Sequence, residues 1–88
     1  MAEYAITFAR SAREELENLS INVAVRALGK IEALAANPRL PGTIKLHGHR
    51  NLRRMRAGDY WVIYSINDLS KMVDISIVRH RRDVYRDL

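Results

Sequence analysis

Arg53, Arg54 and Arg56 fall within four consecutive residues, and the run Arg79-His80-Arg81-Arg82-Asp83-Val84-Tyr85-Arg86 adds a second cluster near the end of the chain. If the first cluster is a β-strand, alternation puts Leu52, Arg54 and Arg56 on one face and Arg53, Met55 and Ala57 on the other. Two guanidiniums two residues apart on one strand face stand roughly 6.5–7 Å apart, close to the spacing of neighbouring phosphates. Their planar forks also suit bidentate phosphate binding. The ordinary alternative is a solvated strand face, or ion pairs to Asp59 or Asp74. The second cluster gathers cations, an imidazole and a phenol, so His80 could serve as acid or base near neutrality. Equally, His80 could be a solvated side chain, and Tyr85 could staple a terminal helix to the sheet. Trp61 would stack on an unpaired base if it points outward, an interaction worth ~1–3 kcal/mol, and would be core if it points inward.

Other chemistries find less support. The chain has no cysteine, and His47 and His49, flanking Gly48, have no third histidine near them, so neither a metal site nor a cofactor is expected. Phosphate-binding glycine loops, dinucleotide fingerprints and nucleophile elbows are absent. Charge is unevenly placed. Residues 1–36 carry four bases and five acids, a net of −1, and residues 37–88 eleven bases and five acids, a net of +6, so the positive excess is confined to the second half. Nucleic acid is the natural partner for such asymmetry, with a merely solubilising basic face as the alternative.

The elements that must position these residues follow from periodicity. At 88 residues the chain has room for one domain, 1–88. Residues 3–8 alternate as a short strand. Ser11 and Glu14 have capping-box spacing, and Ala12, Leu16 and Leu19 recur at helical period. Ser20 is a second cap, before an apolar stripe from Val23 to Ala35 that must stop near Asn37-Pro38. The two helices form an antiparallel hairpin, and Gly29 within the second suggests close packing. Residues 38–50, punctuated by Pro41, Gly42 and Gly48, read as a loop. Three strands follow, Leu52–Arg56, Tyr60–Ile66 and Met72–Val78, then a short helix over Arg81–Leu88. The order β-α-α-β-β-β-α implies an α+β fold, its helices on one face of an antiparallel sheet and the other face free. No apolar run approaches the roughly 18 residues of a membrane span, and Met1 to Phe8 lacks a signal peptide's layout, so a cytoplasmic protein without membrane partners is expected.

The run from Leu52 to Tyr64, followed by Arg79 to Arg86, resembles the RelE/ParE toxin superfamily of type II toxin–antitoxin systems. The two blocks match its Arg-x-Arg-x-Gly-x-Tyr-Arg-x-x-Tyr strand pair and its His-Arg-x-x-Val-Tyr C-terminus. The helical hairpin and the stretch containing Lys45-Leu46-His47-Gly48 fall where the family has them. The resemblance implies a toxin whose RelE branch cleaves messenger RNA in the ribosomal A site and whose ParE branch poisons DNA gyrase. By position, Arg54 matches a basic residue of the cutting site, Arg81 an arginine supporting the transition state, and Tyr85 the terminal tyrosine. Arg56 keeps the basic character of the same strand. Leu52, however, stands where cutters carry a lysine, and Trp61 where the family usually has arginine.

The expected activity is a metal-independent endoribonuclease, because RNA supplies its own nucleophile, the 2′-hydroxyl. Arg54 and Arg81 would stabilise charge on the phosphorane, Arg56 would orient the substrate, and Tyr85 or His80 would move protons. Arg53, Trp61, Arg79, Arg82 and Lys45 would add contacts to RNA. A gyrase inhibitor without nuclease activity is the alternative, and a non-enzymatic nucleic-acid-binding module a third. The resemblance also implies a cognate acidic antitoxin, RelB-like, forming a hetero-oligomer with the toxin, alongside ribosome and message.

Overall fold

A computed structural model describes residues 3–48 and 51–83. Its elements run β1 (Ala5–Phe8), α1 (Arg10–Glu17), α2 (Ile21–Ala33), β2 (Ile44–Lys45), β3 (Leu52–Ala57), β4 (Tyr60–Asn67) and β5 (Met72–His80). The expected α+β architecture is present, with two helices packed on one side of a five-stranded sheet of order β1-β5-β4-β3-β2. No described helix is long and apolar enough to cross a membrane.

Four local expectations need correcting. The sheet is mixed, because β1 pairs parallel with β5 while the other strands pair antiparallel. A long crossover through both helices separates β1 from the meander, which permits a parallel pairing that a hairpin cannot make. The stretch 38–50 is not all loop, since Ile44 and Lys45 pair with Arg54 and Arg53 as β2. Helix α1 starts at Arg10 after Ala9, so Ser11 lies inside it, whereas Ser20 does stand at the N-cap of α2, in extended geometry and without a side-chain capping bond. Gly29 is not tightly packed; a Cβ there would meet nothing within 4 Å. Residues 81–83 form a turn, and the rest of the expected terminal helix lies outside the described residues.

The core lies between helices and sheet. Ala12, Leu16, Ala27, Ile31 and Leu34 pack against Met55, Ala57, Val62, Tyr64, Val73, Ile75 and Val78. Tyr64 is fully buried, and its hydroxyl donates to the carbonyl of Pro38 at 2.7 Å, tying the loop after α2 to the central strand. The register of β4 on β5 steps from Ile63↔Ile77 to Tyr64↔Ile75, leaving Ser76 as an extra residue. Such a bulge reverses the alternation. Val73 and Ile75 face the helices on one side of it, Val78 on the other, and Ile77 and Arg79 are sent to the opposite face.

Candidate nucleic-acid interface

The face turned away from the helices is built in cross-strand rows. Arg56, Trp61 and Arg79 are register partners across β3, β4 and β5, and Arg54, Ile63 and Ile77 form the next row. Its floor is apolar: Leu46, from the residue after β2, and Ile63 are buried, with Leu52, Trp61 and Ile77 packed around them. Trp61 is therefore outward-facing yet half-buried. Above this floor the Arg54 guanidinium lies 4.7 Å from the centre of the Trp61 ring and that of Arg56 lies 5.9 Å away. Both are within cation–π range. Arg56 Nε also donates to the carbonyl of Gly58 at 2.7 Å, and its Nη2 stands 4.0 Å from Asp59 Oδ1. Gly58 has φ +63°, the left-handed geometry this tight turn requires.

The remaining candidates distribute unequally. The Arg81 N–H donates to the Asp59 carbonyl at 2.8 Å, which brings residue 81 beside the Gly58-Asp59 turn, at the same end of the sheet as Arg56. Arg81 and Arg82 are exposed. Arg79 shares a row with Trp61, but its guanidinium is ion-paired with Glu15 of α1, whose other oxygen accepts the N–H of Val78 at 3.1 Å. His80 is carried to the helix-bearing side by the bulge, where it meets Tyr60 edge-on at 5.3 Å and its Nδ1 accepts the Arg82 N–H at 3.2 Å. Arg53 points to that side too, by simple alternation, and donates to the carbonyl and hydroxyl of Thr43 at 3.2 and 2.9 Å. Lys45 is the register partner of Arg53; with Arg39, Asn51 and Ile66 the two line a 140 Å³ cavity. Arg54, Arg56 and Trp61 thus share the open face, with the backbone of residue 81 at its turn end. Arg53, Lys45 and His80 lie on the helix-bearing side, so the candidate RNA-contacting residues are divided between two faces. Tyr85 lies outside the described residues.

Several participants escaped the sequence reading. Glu15 and Thr43, which hold Arg79 and Arg53, are ordinary polar residues in sequence. Arg26 and Lys30, four apart on α2, share a helix face, and that spacing was a usable signal. They line a 530 Å³ cavity with Arg56 and Tyr60, so Arg56 borders both this cavity and the open sheet face. Away from these sites, Asp68 accepts from Tyr4 Oη at 2.5 Å and from both terminal nitrogens of Arg39 at 3.2 and 2.9 Å. The Arg39 bonds, then the Tyr4 bond, lower the Asp68 carboxyl to about 2, and Arg39 is raised in turn. Among the described residues no group of three or more His, Asp or Glu could hold a metal ion.

A family profile described as the ParE toxin of the type II toxin–antitoxin system parDE matches residues 6–85. The chain belongs to the RelE/ParE toxin superfamily. It is similar to the RelE of an archaeal RelE–RelB complex from Pyrococcus horikoshii, at 30% identity over 90% of this chain and 96% of that one, TM-score 0.78. The RelBE2 toxin–antitoxin complex of Mycobacterium tuberculosis matches at 27% identity over 94% and 97%, TM-score 0.78. The isolated RelE toxin of E. coli, at 21% identity over 97% and 99% with TM-score 0.78, shares the fold. No curated protein sequence matches the chain. The chain is thus a RelE/ParE-like toxin of the type II toxin–antitoxin class, as the blocks 52–64 and 79–86 implied.

Proposed function

We propose that this toxin is an endoribonuclease that cuts messenger RNA in the ribosomal A site. The observation that carries the reading is the pair of guanidiniums, Arg54 and Arg56, set beside Trp61 on the sheet face turned from the helices, with residue 81 at the same end. In the reaction the 2′-oxygen attacks the adjacent phosphorus as its proton leaves, the bond to the 5′-oxygen breaks, and that oxygen takes up a proton. The products are a cyclic phosphate and a 5′-hydroxyl. Negative charge builds on the non-bridging oxygens, and Arg54 and Arg81 stabilise it. Arg56, braced by Gly58 and Asp59, orients the strand. Proton transfer falls to Tyr85, since His80 faces the other side of the sheet. The basic second half also fits an acidic antitoxin, and the Pyrococcus horikoshii and Mycobacterium tuberculosis matches are both toxin–antitoxin complexes.

A gyrase-directed toxin is the competing reading, since the matching profile bears the ParE name. The two readings part in a cell-free translation reaction with mapped 5′ ends and a parallel supercoiling assay. New ends inside codons at the A site, with gyrase unaffected, support the nuclease. Intact message with blocked supercoiling would overturn it.

A further inference from the structure

We infer that Trp61 is a positioning residue, a π-clamp that holds the guanidiniums of Arg54 and Arg56 at a fixed spacing for successive phosphates of one strand; this rests on the RNA-cutting function proposed above. Two arginines on one strand face repel each other, and free arginine side chains sample many rotamers. An aromatic ring offers both a negative π surface, which offsets that repulsion. Here the ring is itself packed at its base. Trp61 is anchored among Leu46, Leu52, Ile63 and Ile77, and its backbone is paired with Arg56 on one side and Arg79 on the other. Register puts Arg56 directly opposite the indole and Arg54 on the diagonal, at 5.9 and 4.7 Å from its centre. A diagonal neighbour on a sheet stays within reach of an aromatic side chain. Arg56 is braced a second time by the Gly58 carbonyl. The third cation in the row, Arg79, is ion-paired with Glu15 of α1. In this chain an aromatic residue does by orientation what an additional cation would do by charge.

The role differs from base stacking, and the two separate on a strand that has no bases. Trp61→Phe keeps a ring, while Trp61→Leu fills the apolar floor without one. The full-length protein, its fold checked by circular dichroism, is followed by the NMR signals of the Arg54 and Arg56 Nε–H groups and by binding to an abasic single-stranded oligonucleotide. The clamp predicts that in Trp61→Leu the Arg54 signal shifts and sharpens towards free arginine and the Arg56 signal, still bonded to the Gly58 carbonyl, shifts as it leaves the ring, with affinity for the abasic strand down about tenfold and these effects largely reversed in Trp61→Phe. Unchanged Nε–H signals in Trp61→Leu would overturn it, as would abasic binding equal to the original protein's with a loss confined to base-bearing RNA, which would make Trp61 a stacking platform. The readouts are independent: if the original protein binds no strand at all, the RNA-cutting function fails, while the Nε–H signals still decide the clamp.

Discussion

Neighbouring arginines in this chain do different jobs because one residue of strand turns a side chain to the other face. Arg54 and Arg56 meet Trp61 on the open face, whereas Arg53 is tied to Thr43 on the helix side. Counterion release makes the consequence measurable. On single-stranded RNA each phosphate contact contributes roughly 0.7 to the slope of log affinity against log salt. Arg56→Ala is expected to lower that slope by about 0.7, and Arg53→Ala to leave it unchanged. Equal slope changes in the two variants would contradict the assignment of faces. That division was legible from alternation alone. The bracing of Arg56 by Gly58 and of Arg79 by Glu15 was not, since neither partner is marked in sequence.

At the scale of elements, periodicity revealed both helices and the three long strands, and missed what depends on tertiary pairing. Strand β2 is two residues long and has no pattern of its own; it exists because Arg53 and Arg54 offer it an edge. The bulge at Ser76 left no sequence signal either, yet it decides that Arg79 and not His80 falls in register with Trp61, from where its guanidinium turns to Glu15. A parallel β1 could not be read from local pattern, because its partner lies some 67 positions away, as in Ala5↔Met72. The loop after α2 is held by one buried bond, from Tyr64 Oη to Pro38. Tyr64→Phe removes the donor and leaves that buried carbonyl without it, so a loss of about 1–3 kcal/mol is expected in urea unfolding. A change below about 0.5 kcal/mol would show the carbonyl to be satisfied otherwise.

For the molecule as a whole, the residue before β1, the loop after α2 and the β4–β5 turn converge on Asp68 through Tyr4 and Arg39. The Asp68 carboxyl is held at about 2, below its ordinary 3.8, so the folded state binds its proton more weakly than the unfolded chain. This contribution to stability is complete above about pH 4 and is lost as pH falls through about 2. An NMR titration of the Asp68 carboxyl checks it, with Arg39→Ala expected to return the midpoint towards the ordinary value. These ties frame a molecule whose helices cover one face and leave the face bearing Arg54 and Arg56 open. The most direct measurement is single-turnover cleavage of message on programmed ribosomes by the original protein and by Arg54→Ala, both shown folded by circular dichroism. Loss of a charge-stabilising donor predicts site-specific cuts in the A site that slow on the order of 10²–10³-fold in the variant. Equal rates for the two proteins, or no cut by either, would contradict it.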